Sequence, residues 1–470
     1  MNKHLKTYFT ILSLIVLSSC KVSQDIATPQ APLPVNYRDA IHADTAGIAT
    51  IQWKSFFTDE PLQNLIDSAI SNNYDMQAAV KNIEAAQLIV QQTKLGYLPD
   101  ASLQVAAGVN RPSDNSLNGL SLSQFLGRSY VEDYSVNATL SWEADIWGKI
   151  KNQKAKALAG YLQTTEAKKA IQTNLVASVA KGYYNLLMLD AQLAIANKNL
   201  LLNDSTLRII QLQYEAGQVT LLAVQQATAQ RLVAAQLVPF LQQNITVQEN
   251  GLCVLTGVLP AAIQRTNSIS NIAFTDSLSA GIPSALVANR PDVRGYELQL
   301  NIANANTGIA KANMYPALTI TAGGGINSFK ASNWFNIPAS LFGAVAGGIT
   351  QPLFQRKQLR TQYELAKVER EKTVIQFRQS VLTAVGEVSD ALVRTTKLKE
   401  QEAVAGTRVN TLQQAIHNAD LLFRNGMATY LEVITAQSNT LQGELELTAL
   451  KKDQLVAVVD LYRSLGGGWK

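Results

Sequence analysis

Two tracts of about 65 residues, 149–213 and 357–423, contain no proline and almost no glycine. On the first, Leu175, Val179, Leu186, Leu193 and Leu200 mark one face at close to seven-residue spacing, and alanine fills many positions between. Ordinary globular helices run about 8–20 residues. At ~1.5 Å per residue, a tract of this length is a rod of roughly 100 Å, and its seven-residue period predicts a coiled coil. Gly217 and Gly426 end the tracts, as a left-handed turn after a long helix requires. A return helix is expected after each. The tracts thus read as helical hairpins with glycine-containing tips.

The tips belong to a larger repetition. Tyr214, Gly217, Thr220, Leu222, Val224 and Ala227 match Phe423, Gly426, Thr429, Leu431, Val433 and Ala436 at a constant offset of 209 residues. Nearer the start of each half, Asn72, Asp75, Ala86 and Pro99 match Asn289, Asp292, Ala303 and Pro316 at an offset of 217. The chain therefore reads as a tandem duplication, 51–262 and 263–470, in which one half carries a longer loop. Each half begins with a helix, about 60–95 and about 284–313. Pro291 at a first helical position and Asp292 in the first turn suit the second start, and Arg290 to Arg294 is read as structural. A pair of strands follows, within about 101–147 and about 317–353. Tyr134, Val136, Ala138, Leu140 and Trp142 alternate with Ser135, Asn137, Thr139, Ser141 and Glu143, the pattern of a strand with one apolar face. Polar loops join the paired strands, the longer running from Arg111 to Tyr130.

The N-terminus supplies a compartment. Lys3 and Lys6 precede a short apolar stretch, Tyr8 to Leu17, too short to span a bilayer, which is the layout of an export signal. It ends Leu17-Ser18-Ser19-Cys20, resembling the lipobox of bacterial lipoproteins; the resemblance implies cleavage after residue 19 and lipidation of Cys20. Residues 20–50 read as a lipidated tether. With Cys20 modified, Cys253 has no intramolecular partner, and a disulfide framework is excluded.

Composition narrows the remaining choices. No run of ~18 apolar residues follows the signal, so membrane-spanning helices are not expected. The net charge of +5 is spread out, with no basic cluster interleaved with aromatics, so no nucleic-acid partner is expected. Three His and two Cys leave little for a metal or thiol enzyme, and no phosphate-binding or nucleophile motif occurs. His42 and His417 have no ligand-forming neighbours in the sequence. No enzyme activity, cofactor or metal is expected. Four alternating strands of ~10 residues match strands that cross an outer membrane. Four cannot close a barrel, and an open edge in lipid is prohibitive, so the sheet must close with copies of itself. Trp142, Trp147 and Trp334 fall where aromatic girdles belong.

These features carry a resemblance that covers nearly all of the mature chain. Trp53 with Phe56 to Leu62, Trp142 to Gly148, Arg290 to Arg294, Gln351 to Phe354, Tyr430 to Val433 and the ending Leu461 to Trp469 resemble the TolC/OprM family of outer membrane efflux factors, in its lipoprotein (NodT-type) branch. The fold class that follows is mainly α with β. The resemblance implies a homotrimer with a twelve-stranded outer membrane β-barrel, continued by a periplasmic α-helical barrel. Its tips would dock a periplasmic adaptor (membrane fusion) protein and an inner-membrane pump of the resistance-nodulation-division kind.

The resemblance also assigns roles at the tips. Glu432 takes an acidic position of the periplasmic gate, with Arg424 beside it as gate partner or as an ion pair across helices. The second acidic position is Thr435 here, a departure from a double carboxylate ring. Gly217, Gln218, Val219 and Thr220, with Gly426, Met427, Ala428 and Thr429, resemble the segments that contact the adaptor. The expected function is the exit duct of a tripartite efflux pump, passing drugs or other small molecules outward. Alternatives are the same duct in a type I protein secretion system, and a coiled-coil envelope lipoprotein without a pore.

Overall fold

The computed structural model describes residues 48–272, Pro283 and 289–470. Cys20, His42 and most of the expected tether lie outside the described residues. After a helical turn at Trp53–Phe56 come α1 (Glu60–Asn72), α2 (Tyr74–Lys94), β1 (Asp100–Asn110), α3 (Leu117–Leu126), β2 (Val131–Ala144), α4 (Lys149–Glu215) and α5 (Leu221–Leu255). The second half gives α6 (Pro291–Ala312), β3 (Ala317–Ser328), β4 (Leu341–Thr350), α7 (Gln358–Arg424) and α8 (Tyr430–Ser464). Both long helices have 67 residues and both return helices 35.

Two sequence expectations are corrected. The helix expected over 60–95 breaks at Asn73, whose Oδ1 accepts from the backbone amides of Asp75 (2.9 Å) and Met76 (3.2 Å), capping α2. Its Nδ2 donates to the Leu255 carbonyl at 3.0 Å, so the break also ties α1 and α2 to the end of α5. The stretch from Arg111 to Tyr130 is not wholly loop, because α3 lies within it. Ser116 caps α3 by accepting from Gly119 N at 3.1 Å, and Gly127 ends it at φ +60°.

Among the described residues, the contacts form two compact units, each drawing on both halves of the sequence. One comprises 84–162 and 298–375; the other comprises 48–83, 163–272, 289–297 and 376–470.

The first unit contains a four-stranded antiparallel sheet in the order β1-β2-β3-β4. Residues paired across strands share a face, so the register sorts the side chains. On one face stand the rows Val105-Val136-Ile326-Leu341, Ala101-Leu140-Ala322-Val345 and Ala144-Leu318-Ile349. On the other stand Ser102-Thr139-Gly323-Ala344 and Asp100-Ser141-Thr321-Ala346. Among the described residues nothing covers the apolar face: Leu103 is 70% exposed and Val345 79%. Aromatics flank the sheet at both ends. At one end Trp142 donates to the Tyr97 carbonyl (2.9 Å), while Trp147 donates to the Pro316 carbonyl (2.7 Å) and stacks on Tyr315. At the other, Tyr134, Trp334 and Phe335 cluster.

The second unit holds the main core. Leu175, Val176, Val179, Tyr183 and Leu186 of α4 pack with Leu241, Ile245 and Leu252 of α5. Phe377, Val381, Ala384, Val388 and Ala391 of α7 recur at alternating spacings of four and three, the seam of a coiled coil. Arg290, buried ahead of α6, donates to Asp292 (2.6 and 3.0 Å), Glu387 (2.8 Å) and the Ser464 carbonyl (3.0 Å). A buried charge tolerates that position only when paired in this way.

Candidate functional site

The two tips are built alike. Gly217 and Gly426 adopt φ +72° and +73°, the left-handed region that costs a side chain about 1–2 kcal/mol. Gln218 N donates to the Gln213 carbonyl at 2.8 Å, and Met427 N to the Leu422 carbonyl at 2.9 Å. Together with Gly217 N to Tyr214 and Gly426 N to Phe423, this closes each helix end with the six-to-one and five-to-two pairings of a Schellman turn. The 209-residue offset thus maps hydrogen bond onto hydrogen bond. At each tip the glycine and the threonine (Thr220 or Thr429) are exposed, and Val219 and Ala428 are half-buried.

The tips are held together by a small core of their own. Ile210, Ala223, Ala227, Phe423 and Val433 are buried there, with Val219 and Tyr430 packed against them. The Tyr430 hydroxyl donates to Gln226 Oε1 at 2.7 Å, linking the start of α8 to α5. In the sequence Phe423 stands out only as the counterpart of Tyr214, and Gln226 and Ile210 not at all, because a seam residue at a tip has the same periodicity as one anywhere along a rod.

Glu432 stands at the third position of α8 and completes a capping box with Thr429. Its Oε2 accepts from the Thr429 amide at 3.0 Å and from the Thr429 hydroxyl. The Thr429 hydroxyl, with the backbone amides, holds the Glu432 carboxyl below its ordinary range. Glu432 and Thr435 are both exposed. The ion pair of Arg424 is a correction: its Nε meets Asp420 at 2.9 Å, one turn back on α7, rather than Glu432. Asp420 is an i,i+4 neighbour on the same helix, while the Glu432 carboxylate is engaged by its own cap.

Above the tip cluster, α4, α7 and α8 enclose a groove of about 510 Å³ lined by Asn199, Thr206, His417, Arg424, Gln437 and Thr440 among others. Gln437 is buried and donates to the Thr206 hydroxyl at 2.7 Å. A polar layer here interrupts the apolar seam between the main core and the tip core.

Among the described residues, an uncovered apolar sheet face with aromatic ends, two sheet edges without partners and long helical hairpins with matched tips define a class: channel-forming proteins of the outer membrane. The comparisons with known proteins agree. The family described as outer membrane efflux protein matches residues 65–258 and 282–467, and the chain belongs to that family. It is similar to the probable efflux pump outer membrane protein SepC of Pseudomonas putida, with 28% identity over 99% of this chain and 98% of that protein. It is also similar to the probable outer membrane lipoprotein SilC of Salmonella typhimurium, with 24% identity over 98% of each. A crystal structure of CusC, described as reporting transmembrane channel formation, superposes with a TM-score of 0.83 at 26% identity, over 96% of this chain and all of that one. The protein is an outer membrane channel component of efflux, and its family is one of ducts rather than enzymes.

Proposed function

We propose that three copies of this chain close their sheets into one twelve-stranded barrel and their long helical segments into one helical barrel. Together they form the passive exit duct of a tripartite pump. The observation that carries this reading is the four-stranded sheet, with one largely apolar face and, among the described residues, partners on one side only for β1 and β4. Lipid has no water to satisfy the edge amides and carbonyls, so the edges must pair with other chains. Energy for transport comes from an inner-membrane pump of the resistance-nodulation-division kind, reached through a periplasmic adaptor. The tips around Gly217, Val219, Thr220, Gly426, Ala428 and Thr429 are the adaptor's contact, and Glu432, with Arg424 and Thr435 nearby, borders the periplasmic gate. The cargo is small molecules, in keeping with the efflux role named for SepC. Cys20 carries the lipid that anchors the N-terminus, in keeping with the lipoprotein named for SilC. Purified full chain, added to a planar lipid bilayer, is expected to give discrete conductance steps. A chain that inserts without conducting would be an envelope spacer and would refute the duct.

A further inference from the structure

Helix α3 joins β1 to β2 and takes no part in the duct described above. It carries no charged residue, and its Leu117, Leu120, Phe125 and Leu126 are spread over roughly two-thirds of the helix circumference. All four are exposed, Leu117 and Phe125 at 84% each and Leu120 at 56%. A helix apolar on most sides is ordinarily buried, and an exposed apolar patch marks a contact surface.

The register sets the level at which α3 stands. On the apolar side of β2 the run Ala144, Trp142, Leu140, Ala138, Val136 and Tyr134 leads away from the end where α4 departs. At ~3.4 Å per residue and a tilt of about 40°, that run covers the ~25 Å apolar band of an outer membrane barrel. Tyr134 and Trp334, 5.3 Å apart, close it with the aromatic pair expected at headgroup level. Glu132, next along the same side, accepts from the Tyr134 hydroxyl at 3.3 Å and ends the apolar run. Leu126 is five residues from Val131, at most ~18 Å along the chain, so α3 is kept close to this level. The connection from β3 to β4 at the same end carries exposed Phe329, Phe335 and Ile337, which continue the apolar surface past the strands.

We propose that α3 lies on the outer leaflet of the membrane, at the boundary between headgroups and acyl chains, with Leu117, Leu120 and Phe125 in contact with lipid. The inference rests on the barrel reading of the sheet, whose lipid side the helix extends. The charges around it suit such a surface. Arg111 and Arg128 flank the helix and are exposed. Arg111 meets Asp114 only at 4.0 Å, and Arg128 has no carboxylate partner among the described residues. Arginines at both ends of an apolar helix can rest their stems on lipid while their heads reach headgroup phosphates.

Spin-label accessibility in the full chain tests this, in vesicles of phosphatidylethanolamine and phosphatidylglycerol. Leu120→Cys and Phe125→Cys are labelled with a nitroxide in a Cys253→Ser parent, which treated alike gives the background. Val345→Cys, on the apolar side of β4, and Ala346→Cys, on the polar side, are the references. Oxygen concentrates in lipid and a nickel chelate in water. The ratio of oxygen to nickel access at Leu120 and Phe125 is expected to shift to that of Val345 and away from that of Ala346. A ratio matching Ala346 would place α3 in water and overturn the proposal. Exclusion of both probes would show it packed against protein, such as the same helix of other copies over the duct, and would overturn it equally. A Val345 label outside lipid would instead refute the barrel reading; a Val345 label in lipid with α3 elsewhere refutes the placement of α3 alone.

Discussion

At the residue scale, Glu432 serves two roles that its substitutions can separate. Its carboxylate caps α8 through Thr429, and its charge stands exposed beside the tip. Glutamine also completes a capping box, so Glu432→Gln keeps the helix start and removes only the charge. In single-channel recordings Glu432→Gln and Glu432→Ala should shift cation preference alike if the charge faces the duct. Identical selectivity in wild type and both variants would leave Glu432 with its cap alone. The sequence pointed to this residue through the Tyr-Leu-Glu-Val resemblance. Its engagement by Thr429 was also readable, from a threonine followed three residues later by glutamate. The Arg424–Asp420 pair was available at spacing four on the same helix; what the sequence lacked was any means of ranking that local partner against one on the next helix.

At the element scale, neighbouring residues of β4 should behave oppositely. Val345 lies on the apolar face and Ala346 on the polar one. An arginine on the lipid side of a barrel strand costs about 2–4 kcal/mol at the bilayer midplane and far less on the lumen side. Val345→Arg is therefore expected to abolish insertion in outer membrane fractionation, and Ala346→Arg to leave it intact. Equal insertion of the two would contradict the facing assigned here. The tips offer a second contrast. A Cβ at Gly217 or Gly426 meets open space, so only backbone strain opposes substitution, and asparagine tolerates the left-handed region better than valine. Gly217→Asn with Gly426→Asn should keep the turns while adding bulk at the proposed adaptor contact. Efflux lost in a chain with unaltered melting would mark a docking surface; efflux retained would leave the glycines as turn formers. The four strands and both tips were legible in the sequence because their signals are local: alternation for a strand, a glycine ending a long apolar period for a tip. Helix α3 was missed although its caps, Ser116 and Gly127, stood in the sequence, because the polar residues around them outweighed those two signals.

At the scale of the whole molecule, the halves of the sequence and the compact units of the structure do not coincide. Each unit takes pieces from both halves, and the sheet is joined at its centre by β2 and β3, one from each half. Neither hairpin alone has enough strands to hold an independent sheet. The free edges at β1 and β4 then set the stoichiometry argument. Native mass measurement of the detergent-extracted protein should give three chains per particle, and Cys20→Ala should lose lipid labelling without changing that number. A monomeric particle with conductance intact would require a closure that four strands do not provide.

The sequence by itself determined the long helical hairpins, the paired strands, their repetition and their apolar faces, because each depends on residues within a few turns or a few pleats of one another. The tertiary structure decided what requires contacts across hundreds of residues: the pairing of β2 with β3, the shared tip core of Ile210 and Phe423, the break at Asn73 against Leu255, and the turning of Asp59 from its own helix toward Asn267. Periodicity gives the face a side chain occupies, but which partner it meets there depends on how the distant segments are brought together.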